Sequence, residues 1–308
     1  MSAVTRRELL RSIGTGAPLA IPFIAADARA SEETVTPPPD AVAMLYDTTL
    51  CIGCKACVVA CAETNGLKPD TLLSGGLWQM PLDLNPHTKN IIKLCEGGNG
   101  ETSFVKRQCM HCLDPACVAG CPFGALQKGN RGVVTWNPSA CIGCRYCEVS
   151  CPFEVPKFEW DAFNPKVVKC EFCHEQRLDK GQEPACTDVC PTDAVIFGSR
   201  VDLLRDAHAR LQKRPGDYAE KRVYGEFDAG GTQVLYLSHL PFANIGLPAL
   251  SPDQRPGREM RFQVLLYKWL LLPFAIYALL MRVIRRRWRE HDAEVTELEK
   301  QHGLKEQL

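Results

Sequence analysis

The chain has 308 residues with no net charge, 45% hydrophobic and 23% charged residues, a balance that suits a folded body and excludes a disordered or collagenous chain. Neutral balance without a long block of like charge also excludes the electrostatic footprint of a nucleic-acid binder. Seventeen cysteines, about one residue in eighteen, are too many and too patterned for a small disulfide scaffold, so ligation by sulfur is expected.

The chain opens with Thr5-Arg6-Arg7-Glu8-Leu9-Leu10, runs through a mildly apolar stretch from Ile13 to Ala26, and reaches Ala28-Arg29-Ala30, an A-x-A cleavage site. That order of charge, apolar run and small residues predicts a twin-arginine signal over 1–30 rather than an amphipathic surface helix. The route carries folded proteins, so it also predicts a cofactor inserted before export. Residues 31–43, with Pro37-Pro38-Pro39, read as an extended linker. The folded body is expected over 44–200.

Sixteen cysteines fall into four groups of four: Cys51, Cys54, Cys57, Cys61; Cys109, Cys112, Cys117, Cys121; Cys141, Cys144, Cys147, Cys151; and Cys170, Cys173, Cys186, Cys190. Groups one and three are spaced C-x2-C-x2-C-x3-C, group two opens its middle gap to four residues and group four to twelve. Pro122, Pro152 and Pro191 follow the last cysteine of three groups, and Ala62 does so in the first. Three thiolates in one tight loop reach three irons of a cubane, while the fourth points elsewhere, and in bacterial two-cluster ferredoxins it ligates the other cluster. Nineteen residues between Cys121 and Cys141 give groups two and three such a loop. The expected sets are therefore Cys109, Cys112, Cys117 with Cys151, and Cys141, Cys144, Cys147 with Cys121. By the same exchange Cys51, Cys54 and Cys57 take Cys190, and Cys170, Cys173 and Cys186 take Cys61. Four 4Fe-4S clusters are the predicted cofactors.

Segments between the groups agree with an α+β ferredoxin plan. Phe123-Gly124-Ala125-Leu126 and Thr192-Asp193-Ala194-Val195-Ile196 follow the Cys-Pro steps, and Gly132-Val133-Val134-Thr135-Trp136 reads as a strand. The expected fold class is α+β, two nested ferredoxin-like dicluster units with a C-terminal transmembrane helix. A disulfide framework is disfavoured because four cysteines within eleven residues, twice, are badly placed for unstrained bridges. Zinc is disfavoured because closed tetrahedral sites need neither the third cysteine of groups one and three nor the recurring Cys-Pro. Cys95 is left over as a spare thiol. His111 and His174 stand beside ligand cysteines and read as donors to sulfur, whereas Trp136, Tyr146 and Trp160 read as ordinary packing near the clusters. Loss of residues 1–30 removes four arginines and two acids and leaves the body at −2, to which each oxidised cubane with its thiolates adds roughly −2. Lys55, Arg145, Lys157 and Lys169 are the cations expected to offset that charge.

Beyond the body, residues 201–262 form an extension, with an amphipathic helix over Val201–Lys213 and a strand over Gln233–Leu237. Neither supplies converging acid-base groups, and the chain has no G-x-G-x-x-G turn, P-loop, H-E-x-x-H or G-x-S-x-G elbow. No catalytic residues are assigned. The apolar run Val264–Ile284 predicts a membrane helix over 263–285, with Lys268 and Arg282 snorkelling near its ends and a kink at Pro273; a buried helix of the body is the alternative. Arg282, Arg285, Arg286, Arg287 and Arg289 then keep the C-terminus cytoplasmic by the positive-inside rule, and 286–308 read as a charged solvated tail.

The Cys-Ile-Gly-Cys-Lys-Ala-Cys and Cys-Ile-Gly-Cys-Arg-Tyr-Cys loops and the long gap in group four resemble the four-cluster iron-sulfur subunits of membrane-bound oxidoreductases, over residues 44–200. With the twin-arginine signal, the segment Gly230-Gly231-Thr232-Gln233-Val234-Leu235-Tyr236-Leu237 and the apolar C-terminal run, the chain looks most like the ferredoxin-like subunit of membrane-bound uptake nickel-iron hydrogenases of the hydrogenase 2 type. That resemblance implies an electron-transfer subunit without a catalytic site of its own. Its implied partners are hydrogenase small and large subunits on the periplasmic side and an integral quinone-reactive subunit in the inner membrane. The rival is the iron-sulfur subunit of a periplasm-facing formate dehydrogenase or other molybdopterin oxidoreductase, which usually lacks its own signal. A self-contained iron-sulfur enzyme and a membrane anchor with vestigial clusters are the readings from other classes.

Overall fold

A computed structural model describes residues 36–67, 81, 83–98, 100–160, 165–252, 269 and 271–301. The signal expected over 1–30 lies outside these residues. Of the two units into which the chain divides, Met1–Thr36 contributes only Thr36 to the description, and the fold below belongs to the second.

Strand β1, Val42–Asp47, is the centre of that unit. Its alternating side chains serve two cores: Met44 and Tyr46 face a large one and Ala43 and Leu45 a smaller one, all four fully or almost fully buried. Met44 and Leu45 each contribute roughly 1.5–3 kcal/mol on burial. Both edges of β1 are paired. Val195–Ser199, here β8, runs antiparallel with Tyr46 opposite Val195, and Val234–Leu237, β9, runs parallel with Met44 opposite Val234. The sheet thus joins the start of the body to the end of the last cysteine group and to the extension.

Three hairpins lie between β1 and β8. Asn90–Glu96 (β2) pairs with Thr102–Gln108 (β3), Leu126–Lys128 (β4) with Val134–Trp136 (β5), and Lys157–Phe158 (β6) with Val167–Val168 (β7). The strand expected over 132–136 is shorter at its start because Gly132, at φ 77°, closes a turn by donating its N–H to the Gly129 carbonyl. Each cysteine group carries a helix: α1 Ala56–Thr64, α2 Ala116–Ala119, α3 Tyr146–Val149 and α4 Ala185–Asp188. The last three end after four residues, just before the Cys-Pro step. Proline lacks an amide and drives its predecessor out of the helical region. Ala62 imposes no such stop, and α1 continues for nine residues.

Helix α5, Arg200–Lys213, is capped by Ser199, whose hydroxyl accepts the Asp202 N–H. Its Leu203, Ala207 and Leu211 cover the second face of β1. The strand expected from Gln233 begins one residue later, at Val234.

Helix α6 spans Leu271–Gln301. Of the membrane helix expected over 263–285, residues 263–268 and 270 lie outside the description. Among the described residues no helix is long and apolar enough to cross a membrane. Pro273 lies within α6, and Trp269 ahead of it is also helical. Leu272, Phe274, Ile276, Tyr277, Leu279 and Leu280 are exposed.

Candidate metal centres

Two cavities are each lined by four cysteines drawn from two of the groups. Cys141, Cys144 and Cys147 line one cavity together with Cys121 from the preceding group, beside Trp136, Phe158 and Val167. Cys51, Cys54 and Cys57 line another with Cys190, beside Tyr46, Ile92 and Val195. Each encloses about 330 Å³, part of it open to solvent. Burial raises the Cys112 thiol, and Cys151, Cys109 and Cys117 raise it further by charge repulsion. Burial likewise raises Cys170, and its repelling neighbours are Cys186, Cys61 and Cys173. Two pairs of sets are also within electrostatic reach, through Cys57 and Cys186 and through Cys117 and Cys147, and Tyr236 feels both Cys109 and Cys170.

Backbone conformation turns amide hydrogens toward these sulfurs. In the two Cys-Ile-Gly-Cys loops, Gly53 and Gly143 sit at φ 69° and 70°, and Lys55 and Arg145 at 59° and 64°. A left-handed residue in a tight loop points successive N–H groups into one concavity, a nest for negative charge. A second left-handed residue recurs three positions after the last cysteine of groups two, three and four: Gly124, Glu154 and Asp193. It swings the following amides onto that sulfur. Ala125 N–H lies 3.2 Å from Cys121 Sγ, and the amides of Val155, Phe153 and Glu154 serve Cys151. Burial raises Cys190, but the amides of Val195, Thr192 and Ala194 outweigh it and hold the thiol below its usual value. Burial without equal compensation pushes Cys57 up to about 11 and Cys61 and Cys147 up to about 12.

Group one solves the same problem with a side chain. Since Ala62 lets α1 run on, Asn65 at its C-cap replaces the Cys-Pro loop. Its Nδ2 lies 3.6 Å from Cys61 Sγ and 3.8 Å from Cys173 Sγ. The amide is oriented by Lys89, which donates to Asn65 Oδ1 at 3.0 Å and to Glu171 at 3.0 Å, so the NH2 faces the sulfurs. Sequence reasoning passed over Asn65; the signal available was the missing proline at Ala62.

The other expected participants fall into distinct places. His111 is fully buried, its ring centroid 4.0 Å from that of Phe172. Nδ1 accepts the Val134 N–H at 2.9 Å, so the hydrogen is on Nε2, which has no partner among the described atoms. Burial, then Lys169 and Lys128, hold this imidazole well below its usual pKa. His174 is half-buried and makes no hydrogen bond through its ring among the described residues. Lys169 is buried and donates to the Val134 carbonyl and, at 3.1 Å, to the Cys170 carbonyl. Lys55 and Lys157 are half-buried, and Arg145 lies 3.9 Å over the exposed Trp160 ring. Trp136 lines the Cys141 cavity, Tyr146 is exposed, and Cys95 sits in β2 opposite Ser103, outside the linings of both cavities. Two buried cations escaped the sequence reading. Lys106 has a fully buried ammonium without a hydrogen-bond partner, and Arg200 donates to the carbonyls of Thr232, Gly225 and Glu226.

Four thiols per site, sulfur-directed amides and buried cations fit an anionic iron-sulfur cubane. A single tetrahedral zinc would draw its thiolates to about 3.8 Å from one another, given Zn–S of about 2.3 Å. No group of three or more Cys, His, Asp or Glu side chains among the described residues could hold one metal ion.

Comparison with known proteins gives the same class. Residues 50–125 and 101–200 each match the 4Fe-4S dicluster domain family, so this is a ferredoxin-type protein built from such domains. The chain is 38% identical over 318 aligned positions to the hydrogenase-2 operon protein HybA of Escherichia coli O157:H7, covering 92% of this chain and 95% of that one. It belongs to the HybA family. It is also 36% identical over 222 positions to the nitrate-inducible formate dehydrogenase iron-sulfur subunit of Escherichia coli K12, covering 68% of this chain and 74% of the relative. A formate dehydrogenase iron-sulfur subunit of Haemophilus influenzae is 33% identical over 257 positions, 80% of each chain.

Proposed function

We propose that this chain is an electron-transfer subunit carrying four 4Fe-4S clusters, relaying electrons from a periplasmic nickel-iron hydrogenase to a quinone-reactive membrane subunit. The observation that carries the reading is the pair of cavities each lined by four cysteines drawn from two different groups. The ligand sets are Cys51, Cys54, Cys57, Cys190; Cys109, Cys112, Cys117, Cys151; Cys141, Cys144, Cys147, Cys121; and Cys170, Cys173, Cys186, Cys61. A bound cubane supplies one-electron exchange. The polypeptide supplies everything that tunes it: thiolates fix position, the amides of Ala125, Val155 and Val195 lower sulfur basicity, and buried cations offset charge. Substrate chemistry is assigned to the partner.

The assignment to hydrogenase over formate dehydrogenase rests on coverage, since the HybA likeness extends over 92% of the chain and the Escherichia coli formate dehydrogenase likeness over 68%. The twin-arginine pattern over 1–30 supports export, with the cysteine body in the periplasm. Attachment to the inner membrane through 263–285 is supported by the exposed apolar side chains of α6 and by Arg282–Arg289 on its cytoplasmic side. The test is anaerobic extraction of the tagged chain in mild detergent, with mass spectrometry of what accompanies it. A nickel-iron large subunit together with a multi-span membrane protein is expected. A molybdenum or tungsten subunit instead would move the assignment to formate dehydrogenase, and recovery in the soluble fraction would overturn membrane attachment.

A further inference from the structure

Lys106 is in the middle of β3, and its side chain is completely buried. Its backbone is fixed by pairing with Ile92 and by the Tyr236 hydroxyl, which donates to the Lys106 carbonyl at 2.7 Å. Its Nζ nevertheless has no hydrogen-bond partner among the described atoms, and no carboxylate forms an ion pair with it there. The other buried lysine, Lys169, donates to two carbonyls, and Lys89 has Glu171. A buried ammonium with neither carbonyl nor carboxylate is strongly unfavourable, and proteins retain one only beside a compensating negative charge.

Ile92, the cross-strand partner of Lys106, lines the cavity of Cys51, Cys54, Cys57 and Cys190, and the groups that face the Lys106 ammonium are sulfurs of two quartets. Cys57 belongs to the set completed by Cys190, whereas Cys61, Cys170 and Cys186 belong to the neighbouring one. We propose that the Lys106 ammonium is a counter-charge shared by these two cluster sites, a positioning residue that stabilises their reduced states together and so couples their potentials. The inference rests on the four-cluster reading. A cation equidistant in role between two anionic centres favours electron addition to each, and it leaves the other two centres largely untouched because charge effects fall with distance and screening.

The experiment is an EPR-monitored redox titration of the full-length, anaerobically purified chain, comparing wild type with Lys106→Met and Lys106→Arg. Signals are assigned by their loss in Cys54→Ala and Cys173→Ala. In Lys106→Met the reduced-to-oxidised ratio of both assigned centres should fall at least tenfold at fixed potential, which is 59 mV for a one-electron couple. The other two centres should shift by less than a third of that, and Lys106→Arg should keep most of the wild-type potential. Selective loss of iron from the two assigned sites in Lys106→Met, with full loading in Lys106→Arg, would support the same role. Unchanged potentials in a fully loaded Lys106→Met protein, an equal shift at all four centres, or equal iron loss in both variants would overturn it. Wild-type protein without iron would instead refute the cluster reading itself.

Discussion

Replacing Gly53 by Ala tests how tightly the first Cys-Ile-Gly-Cys loop is held against the body. Gly53 has φ +69°, and a Cβ there would lie 2.5 Å from Cε1 of Phe104 and 2.6 Å from two other ring atoms. Gly124 has a similar φ of +64° but nothing within 4 Å of its Cβ position. Both substitutions incur the left-handed penalty of about 1–2 kcal/mol. Only Gly53→Ala adds a clash, worth about 1–3 kcal/mol when a packed group must move. At about 2–4 °C per kcal/mol for a body of this size, Gly124→Ala should lower the apparent melting midpoint by roughly 2–8 °C and Gly53→Ala by clearly more. The assay is anaerobic calorimetry at one scan rate on the loaded chain. Gly143→Ala, with φ +70° and Pro165 Cγ 2.9 Å away, should fall between them. In a double-mutant cycle, Phe104→Ala should recover part of the Gly53→Ala loss. Equal midpoints for Gly53→Ala and Gly124→Ala, or strict additivity with Phe104→Ala, would refute the steric argument.

Cys121→Ala should damage the centre held by Cys141, Cys144 and Cys147 while the EPR signal of the Cys109 centre persists; loss of the latter instead would refute the exchanged pairing. Asn65→Asp places a carboxylate where an amide now faces Cys61 and Cys173, so the centre holding those sulfurs should become harder to reduce in a redox titration, and an upward shift would contradict the orientation set by Lys89. Arg200→Met removes donors from three carbonyls at 2.9–3.3 Å. It should cost about 3 kcal/mol by denaturation, and a loss below about 1 kcal/mol would show those carbonyls find other donors. Chelation of iron should lower the melting midpoint of the whole body, because cluster binding is also folding free energy; an unchanged midpoint would make the quartets incidental to the fold.

Local spacing makes the cysteine groups and the short helices legible in the sequence, since ligands within one loop are fixed by a few backbone angles. The strand at Val234–Leu237 and the helix at Arg200–Lys213 are legible for the same reason, through alternation and amphipathic period. Groups whose role depends on what the fold brings near them are not. Lys106 sits in an ordinary strand sequence, Ser103-Phe104-Val105-Lys106-Arg107-Gln108, and the pairing of β2 with β3, with α1 packed on β2, is what encloses it. Arg200 reads as a surface helix residue until Gly225 and Thr232 fold over it, and Gln233 is invisible as the buried amide that joins Val42 and Arg131 through their carbonyls.

The most direct test of the central claim is Mössbauer spectroscopy of the iron-57-enriched full chain, purified without oxygen, with iron, zinc and acid-labile sulfide measured on the same sample. Four cubanes predict about sixteen irons and as many sulfides per chain, spectra of 4Fe-4S type, and loss of about one cluster's worth in each variant that removes one quartet. Stoichiometric zinc without sulfide, or iron for only two clusters in a fully folded chain, would contradict the account.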